Sequence, residues 1–546
     1  MAKHSSLVRT IFVLAFSMVC VKASIAQTSY YVDPLYSGGS SNGSTVHPWT
    51  SLASGWSTIN TALALGPVTV YFSACNPACT APETSASQIS LASRTDTSTN
   101  VLTLDGISKY NTNSATPSWA TNVIPAPCTG WRCAATAPFA QAQKFQVTAT
   151  TPLEGNDNVN NCLGYFTVQG FTFHNPEGQS ADIAYIHDIT LQYNEFTRTA
   201  TGSYGPGVIA GPSQHGPCNA SSSNVGGPDN VTIQYNYIHA TWGECIYIGA
   251  STSDPPGGPG NAEYVANGMT CGTNCNTGKN YLIAYNTAES CASWGGQGDG
   301  TDVKDGHANL RVVGNTYRTS LPCTNCGTNG PGNDGQGPLF ESGTEVIRNY
   351  VEAPGHQCTP IYASWNNAAG RGGMLIANNI CVNANSGVGS NVAYDVWPAS
   401  VPSEWATVEI YNNTVYNTDD VCIQAQPGST TGGVTVKNNI CHSTGGGFSG
   451  TAAHDYNDYF NTTCTSETHG MCVDPLFVST ATPYVDASFK LQTGTPVGSA
   501  GIDLSSLFTT DYFGNTRTVP WDMSATEIAG TSAQPNPPTG LLATVN

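Results

Sequence analysis

Charged side chains are scarce in this sequence. Only 10% of its 546 residues are Asp, Glu, Lys or Arg, and only 17 are Lys or Arg. With 36 acidic residues the formal net charge is −19. A chain without a basic footprint is no nucleic-acid binder, because phosphate contacts supply most of that affinity. The same balance opposes a strongly polyanionic substrate unless a bound cation or a local basic cluster offsets the repulsion. Long apolar runs are missing beyond the first 26 residues, so the mature chain has no membrane span. Strong helix formers give way to 58 Gly, 33 Pro and many Asn, Thr and Ser. That excludes a long all-helical fold. What is present is an ample hydrophobic fraction, 39%, which excludes disorder.

The N-terminus reads as a secretory signal. Lys3 and Arg9 precede an apolar stretch over 11–21, and Ser24-Ile25-Ala26 offers small residues for cleavage after Ala26. A secreted location is expected, whether extracellular, periplasmic or at the cell surface. Of 19 cysteines, Cys20 lies in the signal, and 19 − 1 leaves 18. An even number in an exported chain favours disulfides. Cys75/Cys79, Cys128/Cys133, Cys271/Cys275, Cys323/Cys326 and Cys464/Cys472 are close enough in sequence for local staples. Metal ligation by Cys271, Cys275, Cys323 and Cys326 is the rival, although zinc sites space their pairs more tightly.

A repeat decides the fold class. A short β-branched or aliphatic run closed by Asn recurs, ending at Asn194, Asn236, Asn286, Asn315, Asn349, Asn379, Asn413 and Asn439. An earlier copy, Phe166-Thr167-Val168-Gln169-Gly170, lacks the Asn. Each run alternates apolar and polar residues, the pattern of a half-buried strand. The Asn is expected to take the left-handed bend that ends the strand. A short apolar pair, such as Tyr237-Ile238 or Ile440-Cys441, then begins the next strand of the same coil. Stacked copies would align the Asn side chains in a ladder. The spacing predicts an all-β, right-handed, single-stranded parallel β-helix, a solenoid whose excess residues leave as long loops on one face. Sandwiches and propellers call instead for hairpin turns.

Tyr30-Tyr31-Val32-Asp33-Pro34, a Gly/Ser-rich loop and His47-Pro48-Trp49-Thr50-Ser51-Leu52 resemble the opening of secreted right-handed β-helix proteins of the pectate-lyase-like group. Asp474-Pro475-Leu476-Phe477-Val478, Phe489-Lys490-Leu491, Asp511-Tyr512-Phe513-Gly514-Asn515 and the segment from Asp522 to Glu527 are similar to its closing segments. The resemblance implies the fold. It does not choose an activity, because the group holds lyases, hydrolases, epimerases and non-enzymatic binders. The organisation that follows is a signal (1–26), an N-terminal cap with the first coils (27–160), a β-helix core (161–465) and a closing segment (466–530). A Pro-rich linker, or the start of a truncated fibronectin type III-like module, occupies 531–546.

The densest chemistry lies in Gly298-Asp299-Gly300-Thr301-Asp302-Val303-Lys304-Asp305-Gly306-His307. With Val303 inward, Asp302 and Lys304 would point outward together, ~6.5 to 7 Å apart at Cα. Lys304, Asp302 and His307 are the candidate catalytic residues. Asp299, Asp302 and Asp305 are candidate ligands for calcium, a hard cation that takes oxygen donors. Lys304 would take the proton α to a uronate carboxyl in β-elimination; alternatively, an Asp pair would act as acid and base in glycoside hydrolysis. Stacked strands would bring Glu244, Tyr247 and Glu341 to the same exposed face. Later coils would add Tyr362, Trp365, Arg371, Tyr394, Asp395 and Trp397. Aromatic faces suit sugar rings, and Arg suits a uronate. Thr418-Asp419-Asp420-Val421-Cys422-Ile423 resembles the paired-Asp strand of polygalacturonase-type hydrolases, without their Gly-His-Gly and Arg-x-Lys motifs. The expected partner is a polysaccharide, which the chain either cleaves, as a lyase or a hydrolase, or binds as a non-catalytic matrix protein.

Overall fold

The computed structural model describes residues 27–74, 82–106, 109–111, 118–120, 144–155, 163–175, 179–183, 186–198, 205–210, 230–248, 279–291, 299–303, 308–318, 338–340, 345–352, 357–361, 374–384, 391–397, 407–427, 433–482, 484 and 488–528. Within them three ladders of parallel strands run the length of a solenoid. The first ladder stacks thirteen strands, from Thr28–Val32 and Val68–Phe72 through Val231–Gln234, Lys279–Ala284 and Ala308–Val313 to Ala453–Asp455. The second runs from Thr84–Ser85 through Glu195–Arg198, Tyr237–His239, Thr287–Glu289 and Thr316–Arg318 to Asp458–Phe460. The third runs from Ile89–Ser90 through Ile246–Ile248, Thr301–Val303 and Tyr394–Val396. Near the C-terminal end, the long strands Thr414–Ala425 and Ile440–Gly450 cross from the second ladder into the third. The chain is a parallel β-helix.

Alternation builds the interior. Val168, Leu191, Ile233, Ile283, Val312, Val346, Ile376, Ile410 and Val436 are register partners, coil upon coil, and all are buried. Each such side chain contributes roughly 1.5–3 kcal/mol by leaving water. The helix Trp56–Leu63 closes the N-terminal end with Ile59, Ala62 and Leu63.

The asparagine ladder is present, and it has one more rung than the repeat predicts: Asn194, Asn236, Asn286, Asn315, Asn349, Asn379, Asn413, Asn439 and Asn457 are joined side chain to side chain at 2.9–3.2 Å. Each Nδ2 also donates to a strand carbonyl of the preceding coil, as Asn379 does to Val346 at 2.8 Å. Glu467 ends the ladder. Its carboxylate accepts from Asn457 N and Nδ2, both at 2.9 Å, where a further Asn would accept.

The left-handed bend, however, is not made by the ladder Asn. The residue before it carries the positive φ: Tyr193, Tyr235, Tyr285, Gly314, Arg348, Asn378, Asn412, Asn438 and Tyr456. The ladder Asn turns inward and is buried, so the strain falls on its outward neighbour. That neighbour has a second use in the late coils. Asn378 donates to Thr510 O at 2.9 Å, Asn412 to Asp522 O at 3.0 Å and Asn438 to Ile502 O at 2.9 Å. These bonds pin the closing segment, which folds back along the outside of the coils as a strap. Phe477, Tyr484, Phe489, Leu491 and Met523 cover Tyr350, Ile380, Val382 and Ile440 of the second ladder. Leu504 and Trp521 cover Leu375, Ala377 and Tyr411 of the first.

Four disulfides lie among the described residues: Cys245–Cys291, Cys358–Cys381, Cys422–Cys441 and Cys464–Cys472. The last is a local staple as expected. The other three join segments of successive coils. The remaining close pairs, and the rival metal set, lie outside the described residues.

Candidate functional site

Strand parity places the third-ladder site. Thr301 and Val303 point into the core and are fully buried, so Asp302 between them faces outward. Its register partner one coil earlier is Tyr247, and the outward column runs Glu154, Asp182, Ile209, Tyr247, Asp302. Register partners sit ~4.8 Å apart. Two expectations need correction. Asp302 and Asp299 are each only 1% exposed and Glu244 only 2%, so these carboxylates sit beneath cover and not on an open patch. Glu244 also does not share the Asp302 column. Cys245 N–H donates to Asp299 O at 3.0 Å and Ile246 N–H to Gly300 O at 3.2 Å, which sets Glu244 level with Asp299 at the corner leading into the strand. Lys304, Asp305, His307, Glu341, Tyr362, Trp365 and Arg371 lie outside the described residues. Among the described residues, no three His, Cys, Asp or Glu side chains converge to hold a metal.

Further along the ladder, parity separates two neighbours. Tyr394 points inward and belongs to the core, which corrects its expected place on the sugar-binding face. Its ring is the size of a core residue, and burial pushes its hydroxyl far above the ordinary tyrosine range. Asp395 faces outward. Gln357 Nε2 donates to its Oδ2 at 2.8 Å and Gln426 Nε2 to its Oδ1 at 3.3 Å, with Trp397 a third donor. Burial, with the charge of Asp420 adding to it, holds Asp395 up at about 6 against those bonds. Asp419 and Asp420 lie exposed on a break in register between Thr418 and Val421. A buried carboxyl lifted toward neutrality beside an exposed carboxylate is the division of labour that acid–base catalysis needs.

A second polar row, not anticipated from the sequence, occupies the outer face of the second ladder. Glu195 lies between Lys144 Nζ at 3.2 Å and His239 Nε2 at 3.0 Å. Although burial works against it, these two partners hold Glu195 down at about 2. Tyr237 stacks on His239 with centroids 4.1 Å apart and donates to Glu289 Oε2 at 2.7 Å. Arg318 pairs with Glu289 at 3.3 Å. The signal was legible in retrospect: after several ladder Asn residues the short strand reads polar–apolar–polar, as in Glu195-Phe196-Thr197, Tyr237-Ile238-His239 and Thr316-Tyr317-Arg318. The middle residue is buried in each, so the flanking pair must face out.

No family model and no curated protein matches the chain. Among solved structures it is similar to pectate lyase Pel9A, with 13% identity and a TM-score of 0.40 over 92% of this chain and 97% of that one. It is also similar to the GH136 lacto-N-biosidase from Eubacterium ramulus, with 12% identity and a TM-score of 0.35 over 79% of this chain and 68% of that one. The assignment to the parallel β-helix class rests on the three ladders.

Proposed function

We propose that the chain is a secreted, polysaccharide-active β-helix that cleaves a uronate-containing glycan by β-elimination along the outer face of the third ladder. One observation carries this reading: Tyr247 and Asp302 are outward register partners, one coil apart, with Asp299 and Glu244 at the adjoining corner. The strand alternation that turns Asp302 outward belongs to the sequence in which Lys304 follows two residues later. In the reaction, Lys304 takes the proton α to the uronate carboxyl and the bond to the leaving glycosidic oxygen breaks. A double bond forms in the ring, and the leaving oxygen gains a proton, with His307 the second proton-transfer group. Tyr247, Tyr362, Trp365 and Trp397 offer ring faces to the sugars, Glu341 accepts hydroxyls, and Arg371 pairs with a uronate. Asp299, Asp302 and Asp305 are hard oxygen donors and fit calcium, which when bound would acidify the α proton.

The test is a polysaccharide panel, with and without calcium, read by the ultraviolet absorbance of unsaturated products. Lys304→Ala should lower the rate by about 10²–10⁴-fold. Absence of unsaturated product from every uronate glycan overturns the elimination. A second reading has its own support in Asp395, held near 6 beside Asp420. Reducing ends without unsaturated product, lost in Asp395→Asn, select hydrolysis by that pair. Glycan retention without any turnover selects a binding role.

A further inference from the structure

Far from the third-ladder row, at the N-terminal end, two acidic side chains are buried together. Asp33 follows the strand Thr28–Val32, Ser73 follows Val68–Phe72, and Glu83 leads into Thr84–Ser85. Asp33 is 1% exposed and Glu83 4%. Asp33 Oδ1 accepts Leu35 N–H at 2.9 Å, and Glu83 Oε1 accepts the Ser73 hydroxyl at 2.7 Å. The remaining oxygens, Asp33 Oδ2 and Glu83 Oε2, are buried and receive no hydrogen bond from a donor group. The two carboxyls lie within hydrogen-bonding reach of each other, and no Lys, Arg or His among the described residues bears on either.

Backbone bonds hold all three segments in place. Asp33 N–H donates to Trp49 O at 2.8 Å, Ser73 N–H to Val32 O at 2.9 Å, Glu83 N–H to Ala74 O at 3.2 Å and Gln146 N–H to Glu83 O at 2.8 Å. The acids therefore cannot swing apart into water. Buried anions in contact must be neutralised, because an unpaired buried charge is among the costliest groups a fold can hold. A single shared proton leaves one negative charge behind. A divalent cation cancels both. The donors are four carboxylate oxygens and a hydroxyl, hard ligands of the kind that calcium takes and softer metals do not.

We propose that Asp33, Ser73 and Glu83 form a divalent-cation site of the calcium class that ties the first coil to the start of the second ladder. The site is independent of the proposed catalytic row and stabilises the N-terminal end of the solenoid.

The experiment uses the full chain carrying Asp302→Asn, which removes the central one of the three proposed third-ladder calcium ligands. Calcium added to the chelated protein should raise its melting temperature by about 2–4 °C. Terbium should luminesce at the site through Trp49, whose ring stacks on Tyr30 at 4.9 Å. Both effects should vanish on adding Glu83→Gln, which mimics the neutral acid and spares a proton-sharing pair. Asp33→Asn serves if that variant does not fold. No calcium shift in the Asp302→Asn protein, or a shift and luminescence that survive Glu83→Gln, overturns the proposal.

Discussion

Asn378 and Asn379 are adjacent in sequence, yet truncating them should weaken the protein in different places and by different amounts. Asn379 Nδ2 donates to Val346 O at 2.8 Å and to Asn413 Oδ1 at 3.0 Å. Its Oδ1 accepts Asn349 N–H at 2.8 Å and Asn349 Nδ2–H at 3.0 Å. Asn379→Ala leaves Asn349 N–H buried without its partner and removes one of the donors to Val346 O, which the parallel register still pairs with the next coil. Asn349 Nδ2 keeps Val312 O, and Asn413 Oδ1 keeps Asn379 N–H. One orphaned donor at ~1–3 kcal/mol and the other lost bonds at ~1 kcal/mol each give a loss of about 3–4 kcal/mol. Asn378→Gly keeps the left-handed backbone, φ +57°, but loses the bond to Thr510 O and the acceptor for Arg517 Nη2. Arg517 retains Glu527 and two carbonyls. The cost should be about 1–2 kcal/mol, felt by the strap and not by the coils. Denaturant unfolding measures the totals, and amide hydrogen exchange locates them. A loss below ~1 kcal/mol for Asn379→Ala, or equal losses with the same exchange pattern, would refute the division of roles.

The acid at Asp395 sets a pH test. Its folded value, about 6, exceeds the ordinary 3.8, so the fold holds a proton that the unfolded chain releases. Stability should therefore fall as pH rises through the window from 3.8 to about 6, and Asp395→Asn should recover it above that window, in thermal melts across pH. Lys144→Met removes one of the two side-chain partners of Glu195, so the Glu195 carboxyl, observed by NMR titration, should rise from about 2. The fold should lose about 1–3 kcal/mol, and an unmoved titration would contradict the pairing. Glu467→Gln sets an amide nitrogen against donors now served by two carboxylate oxygens, and His454 and Tyr459 also bond that carboxylate at 2.9 and 2.7 Å. A loss of about 2–4 kcal/mol is expected, with faster exchange confined to the last coils.

The fold was legible because one physical constraint repeats. A parallel coil needs an inward apolar column and a satisfied corner, and both leave marks at every turn of the sequence. The asparagine spacing therefore located the first-ladder strands from Gly164–Gln169 onward. The left-handed position was misplaced by one residue, because Asn tolerates that geometry and the doublets Asn378-Asn379, Asn412-Asn413 and Asn438-Asn439 hide which member uses it. The site was less legible. Parity correctly turned Asp302 outward, but outward is not exposed, and its burial depends on cover that alternation does not describe. Tyr394 was misjudged because an aromatic suits a sugar face and a core equally, and only its neighbour Asp395, one position later, fixes the parity. The row from Lys144 to Arg318 was missed because its members lie 29 to 52 residues apart in sequence. The three disulfides between coils were beyond reach for the same reason, whereas Cys464–Cys472 was not.

The returning C-terminal strap changes how this molecule should come apart. A stacked array with neighbour contacts alone can fray from either end, one unit at a time. Here bonds spanning 110 to 139 residues, from Asn412 to Asp522 and from Arg517 to Asn378, lash several late turns to a single thread. Those turns should melt together when the thread lets go, while the turns ahead of Arg348, apart from the two joined by Cys245–Cys291, open without it.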